Sequence, residues 1–109
     1  MKRSGEATIP MVGEMLVRLG ESLAVARKRR RITIKDAAAR LNVSRNTVAS
    51  AERGEPGVGV GVVMGLLWLY GLDRQVVEQL EPARDVIGAS LEASAASRMG
   101  RSEVFDGEF

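Results

Sequence analysis

The 109-residue chain is expected to fold as an all-α bundle of five helices, with a flexible tail over residues 1–9 and a partly ordered extension over 82–109. Three observations point there. Apolar residues recur at three- and four-residue steps, the period that lines one face of a helix. Residues that start or stop helices bracket those runs, at Thr33, Asn42, Ser44, Gly54 and Asp73. The most apolar stretch, Val58 to Leu72, carries no charge, is interrupted by glycines and is shorter than the roughly 20 residues that span a bilayer, so a buried helix accounts for it better than a membrane span.

Thr8 with Pro10 signals the first helix, in which Val12, Met15, Leu16, Leu19, Leu23 and Ala26 form one apolar stripe ending near Arg30, with Gly20 as a weak point. Thr33 followed by Asp36 opens a second helix, about Ile34 to Leu41: the hydroxyl takes an orphan amide and the carboxylate suits the positive helix end. Asn42 tolerates the left-handed backbone that stops it, and Val43 returns an apolar side chain to the core. Ser44 caps a third helix that runs to about Glu52 and ends in the turn Arg53-Gly54-Glu55-Pro56-Gly57. The fourth, about Val58 to Tyr70, is apolar on nearly every side and reads as the central element, its glycines compensated by close backbone packing. Asp73 caps a short fifth helix, Arg74 to Leu80, with Val76, Val77 and Leu80 turned inward, and Pro82 closes it. Beyond lies an amphipathic stretch, Val86 to Leu91, then a segment rich in Ala and Ser.

The chain has no cysteine and no histidine, which excludes disulfides, thiolate or imidazole metal sites and every mechanism that needs a Cys or His nucleophile or base. No clustered acid–base pair replaces them, so an enzyme is not expected, and neither is a cofactor or a metal. No apolar run follows Lys2 and Arg3, so a secretory signal is not expected, and the reading is cytoplasmic, nucleoid-associated and free of membrane. The net charge of +2 conceals a division: Arg18 to Arg53 carries +7, and Gly54 to Phe109 carries −5. A basic segment beside an acidic one fits a polyanion-binding module with a separate region kept off the nucleic acid.

Within the basic segment stand Arg27, Thr33, Ala38, Leu41, the turn Asn42-Val43-Ser44 and the closing Glu52-Arg53-Gly54. In that order and spacing, Leu19 to Gly54 resembles the helix-turn-helix of the Xre/Cro family of phage-type repressors. The resemblance implies a five-helix, Cro-like bundle over residues 10–81, in which Ala38 lets two helices cross closely and Leu41, Val43 and Val48 wedge them at their angle. It implies a structural ion pair between Arg27 and Glu52. It also implies a recognition helix that turns Arg45, Asn46, Thr47, Ala49 and Ser50 to the major groove, Arg45 pairing with guanine and Asn46 with adenine. Thr33, Lys35, Ser44, Arg31 and Arg53 are then the phosphate contacts, while Arg29 and Arg30 divide between phosphate contact and a solvated face. Two departures stand out. Ile34 occupies the place of the family's usual Gln and cannot hydrogen-bond, and Ala37 and Ala51 replace large core residues, whose volume is expected from Trp68 or Met64.

One such unit reads only a few base pairs, so the resemblance implies a homodimer on an inverted-repeat operator of double-stranded DNA, with Val63, Leu67, Trp68, Tyr70 and Val77 at the interface. Leu66 to Leu91, with Tyr70-Gly71-Leu72-Asp73, Leu80-Glu81-Pro82-Ala83-Arg84-Asp85 and Ile87-Gly88, resembles the HipB-type antitoxins encoded beside HipA-like kinases. That similarity implies an autoregulating antitoxin of a type II operon that binds a HipA-like serine/threonine kinase toxin. A phage or restriction-control type regulator with no toxin is the alternative, and a non-DNA interaction module is a third class.

Overall fold

The computed structural model describes residues 9–99, all of whose regular elements are helical. The tail over residues 1–8 and the end of the extension, residues 100–109, lie outside the described residues. Six α-helices follow in order: α1 Pro10–Arg29, α2 Ile34–Leu41, α3 Arg45–Glu52, α4 Val60–Leu69, α5 Asp73–Gln79 and α6 Val86–Met99, with a 3-10 turn at Pro82–Arg84 before the last. The all-α expectation holds, and the count is six where five were expected. The Ala- and Ser-rich stretch is a helix: Asp85 accepts the Gly88 amide at 2.8 Å as a cap, and alanine is the best of helix formers.

The chain divides into two compact units, Met1–Asp73 and Arg74–Phe109. In the first, α2 packs on α3, α1 on α3, and α4 on both α2 and α3. Leu23, Ala26, Ala37, Ala38, Val48, Ala51, Leu66, Leu67 and Tyr70 form the buried core. The alanines at 37, 38 and 51 keep the helices close, so Leu23, Leu66 and Val48 fill the centre. Trp68 does not supply core volume as expected: it is 64 % exposed, whereas Met64 packs half-buried against the core. Ile34 does likewise, so the residue that departs from the family's Gln seals the base of α2.

In α1 only part of the expected stripe is covered. Leu23 and Ala26 are buried, Leu16 and Leu19 half-buried, and Val12 and Met15 exposed. Gly20 does not break the helix. It is the point where α1 meets the end of α3, because a Cβ there would lie 2.5 Å from the Glu52 carbonyl oxygen. Gly54, at φ 75°, makes the same approach from the other side, where a Cβ would lie 2.5 Å from Val17 Cα. On α4 the expected close packing of glycines is confined to Gly65, against Leu41; Gly59 and Gly61 face open space. In the second unit, Val76, Val77 and Leu80 are exposed, not turned inward as expected.

Tyr70 is buried at the end of α4, with the Arg30 guanidinium 6.0 Å from its ring centroid and its hydroxyl without a hydrogen-bond partner among the described residues. Burial, with the Glu52 charge adding, pushes its pKa above the ordinary value of 10.0 against the opposing pull of Arg27 and Arg30. The folded state therefore holds the proton longer than the unfolded chain does. The stability this contributes is complete below the unfolded pKa and is lost as pH rises through the folded one. Tyr70→Phe is expected to raise stability by about 1 kcal/mol at neutral pH, because an unsatisfied buried hydroxyl is removed, and to flatten the loss at alkaline pH. Urea unfolding at neutral and alkaline pH reads both effects, and no gain at either pH would show the hydroxyl to be satisfied.

Candidate nucleic-acid interface

The turn between α2 and α3 is built from local chemistry. Thr33 Oγ1 accepts the Asp36 amide at 3.0 Å and starts α2. Asn42 takes φ 58° and ψ 46°, its amide donating to the Ala39 carbonyl at 3.2 Å while the Val43 amide donates to that of Ala38 at 3.0 Å. Ser44 Oγ accepts the Thr47 amide at 3.0 Å, lies 2.8 Å from the Thr47 hydroxyl, and starts α3. Two short helices thus leave a three-residue turn in fixed directions, their hydrophobic backing shared with α1 and α4.

Eight residues of α3 make a rod about 12 Å long at ~1.5 Å per residue, matched to a major groove about 12 Å wide. Val48, Ser50 and Ala51 are buried beneath it. Arg45 and Asn46 are exposed at its N-terminus, where no acidic side chain offsets the positive helix end, and Ala49 lies half-buried one turn on. This leaves a narrow outward stripe with a long cation and an amide at its head. Thr47 is half-buried and engaged with Ser44, which ties it to the cap. Ser50, expected at the bases, is instead 8 % exposed: its Oγ accepts from Arg53 Nη2 at 3.1 Å. It cannot reach a base edge while it does so.

Thr33, Lys35, Ser44 and Arg31 are exposed around the starts of α2 and α3. Arg53 is exposed too, but its Nε donates to Glu55 Oε2 at 2.8 Å, so part of its charge is matched inside the protein. The sequence carries no local sign of that pairing, since Glu55 stands in the turn that closes α3. Arg31 adopts φ 56°, a left-handed conformation that costs an arginine about 1 kcal/mol and glycine almost nothing. Arg31→Gly is expected to stabilise the fold by up to about that amount while weakening binding to all duplexes alike. Thermal unfolding and binding to unrelated duplexes check the two halves; an unstable variant that binds normally would reverse the assignment.

Behind α3, Arg27 and Glu52 form a two-pronged ion pair, with Nε donating to Oε2 at 2.6 Å and Nη2 to Oε1 at 3.1 Å. Arg27 Nη1 also donates to the Ile32 carbonyl at 2.9 Å, fastening the α1–α2 connection. The hydrogen bonds to Glu52 outweigh burial and hold the Arg27 pKa above its already high ordinary value, so the guanidinium keeps its charge. Both side chains are only 10 % exposed, which makes the pair a strut for α3 and not a DNA contact.

A family model for the helix-turn-helix domain matches residues 18–80, more than half of the chain. The chain belongs to the helix-turn-helix family. The match spans α1 from Arg18 through the end of α5, so it includes both the turn and its backing. No curated protein and no solved structure gives a significant match. Among the described residues no helix is long and apolar enough to cross a membrane, and no cluster of acidic side chains could hold a metal ion.

Of the residues expected at the dimer interface, Leu67 and Tyr70 belong to the core of this helix-turn-helix unit and are not available to a second copy. Val63 is half-buried against that core, and Trp68 is exposed. Val77, in the second unit, is also exposed. The sequence could not separate these because α4 is apolar all round, which conceals which side its own chain covers.

Proposed function

We propose that the chain is a sequence-specific duplex-DNA-binding transcriptional repressor that works as a homodimer on an inverted-repeat operator. The observation that carries this is the outward stripe of α3, with Arg45 and Asn46 exposed at a capped, acid-free helix start within a segment of charge +7. Arg45 and Asn46 read base edges, and Thr33, Lys35, Ser44, Arg31 and the half-matched Arg53 fix the register on phosphates.

The homodimer is supported by the free side of α4. Val60, Met64 and Trp68 recur every fourth residue on one face, with Val60 and Trp68 exposed. A helix apolar on every side is normally covered on every side. A cytoplasmic, nucleoid-associated location follows from the DNA reading.

The finer reading is an antitoxin of a type II toxin–antitoxin operon, autoregulating that operon and binding a HipA-like serine/threonine kinase. Its support is the similarity of Tyr70–Asp73, Leu80–Asp85 and Ile87-Gly88 to HipB-type antitoxins, with the acidic second half as a toxin-facing surface. A regulator of phage or restriction-control type shares the DNA chemistry without the kinase. Co-purification with a HipA-like kinase encoded alongside separates the two.

Selection from a random duplex pool tests the main reading. The expected product is an inverted repeat with half-sites about one helical turn apart, bound with strong salt dependence by a protein of dimeric mass. Recovery of unrelated sequences, or of a single half-site bound by a monomer, would overturn it.

A further inference from the structure

The finish of α3 holds an arginine in a fixed frame. The Gly54 amide donates to the Ala51 carbonyl at 3.0 Å and the Glu55 amide to the Ser50 carbonyl at 3.1 Å, with Gly54 at φ 75°. That paired closure folds the chain back over the last turn of the helix, so Glu55 returns beside Ser50 with Arg53 between them. Helix α1 backs the turn, since a Cβ on Gly54 would lie 2.5 Å from Val17 Cα.

The Arg53 guanidinium is held at two points. Its Nη2 donates to Ser50 Oγ at 3.1 Å and its Nε to Glu55 Oε2 at 2.8 Å. Both N–H groups of Nη1 and one of Nη2 engage no acceptor among the described residues, and the side chain is 55 % exposed. Ser50 itself is buried, and packing does not call for its hydroxyl: alanine suffices at the adjoining Ala51 and, in α2, at Ala37 and Ala38. Among the described residues, the side-chain partner of that hydroxyl is Arg53.

The two ends of α3 offer a phosphate different things. At the start it gains from the positive end of the helix; at the finish it meets the carbonyl end, which repels it, and needs a cation already in place. An unheld arginine loses side-chain freedom when it grips a phosphate, and holding it beforehand removes much of that cost. We propose that Ser50 is a positioning residue for duplex binding: with Glu55 on the neighbouring N–H, it holds the Arg53 guanidinium so that the remaining N–H groups take a phosphate oxygen without further ordering. Ser50 thus acts on DNA through Arg53 and touches no base. The proposal rests on the duplex-DNA reading above and deepens it at one contact.

Two measurements on the full chain test it. In the free protein, nitrogen-15 spectra follow the interchange of Nη1 and Nη2 by rotation about the Nε–Cζ bond, with Arg53→Lys assigning the signal. Interchange is expected to be slower in Arg53 than in Arg45, which is exposed and has no hydrogen-bond partner among the described residues, and Ser50→Ala is expected to speed it toward the Arg45 rate. Fluorescence anisotropy with an unselected duplex then measures binding. Ser50→Ala is expected to weaken it about fivefold, the scale of one net hydrogen bond, Arg53→Ala at least as much, and the double variant no more than Arg53→Ala. Urea unfolding gives the folded fraction of each variant, so that every affinity refers to folded protein. Equal interchange in Arg53 and Arg45, wild-type affinity in Ser50→Ala, or an undiminished loss from Ser50→Ala in the Arg53→Ala background would each overturn the proposal and leave the DNA reading standing. A wild-type chain with no salt-sensitive duplex binding would overturn that reading and the proposal with it.

Discussion

Glu52→Ala is expected to destabilise the fold by about 3 to 5 kcal/mol, because it strands the Arg27 guanidinium in a site that is 10 % exposed. Two of that guanidinium's three hydrogen bonds go to Glu52, and only the one to the Ile32 carbonyl remains. Small domains hold roughly 5 to 15 kcal/mol in total, so the variant is expected to be largely unfolded under mild warming. Replacing both partners with apolar residues of similar size, Arg27→Met with Glu52→Leu, is expected to recover most of the loss, since no charge is left unpaired. Urea denaturation of the single and double variants separates the two effects. A loss below about 1 kcal/mol in Glu52→Ala would place the pair with solvated surface pairs and remove it as the strut of α3.

The second large effect is on discrimination. Arg45→Ala is expected to abolish preference for the operator, a loss of about 1 to 3 kcal/mol at each half-site, while leaving binding to unrelated duplexes nearly unchanged. Lys35→Ala is expected to weaken operator and unrelated duplexes similarly and to lower the slope of log affinity against log salt by about one for each contact removed. The contrast arises from position. Arg45 heads the outward stripe of α3, whereas Lys35 lies in the first turn of α2, whose apolar face is turned into the core. Fluorescence anisotropy with operator and scrambled duplexes over a range of salt measures both. Equal loss of discrimination in the two variants would refute the division of labour.

The elements legible in the sequence were those whose signals are local. Thr33, Asn42 and Ser44 each act within three or four residues of themselves, and each takes the backbone geometry or hydrogen bond that its chemistry implies. The helix-turn-helix therefore emerged from the chain with nearly correct boundaries. Signals that depend on distant partners were read less well. Gly20 read as a helix weakness because nothing nearby says that the Glu52 carbonyl will lie against it. Ser50 and Asn46 are both small and polar and sit four residues apart on one short helix, but Ser50 falls just inside the buried edge, where Arg53 engages it. Trp68 fits the core and the interface equally well from sequence because α4 offers no polar side to orient it. The full length of α6 leaves little trace in the sequence because its Ala and Ser residues bury nothing, which removes the apolar periodicity that marks a helix.

The central claim is that the start of α3 enters the major groove. A titration of isotope-labelled protein with its selected duplex, followed by backbone amide shifts, tests this most directly. The account expects the largest changes at Ser44, Arg45 and Asn46, with smaller ones at Thr33 and Lys35, all reversed by added salt, while Ser22 and Val25 on the far side of α1 stay unmoved. Changes concentrated on that far side of α1, with α3 silent, would contradict it.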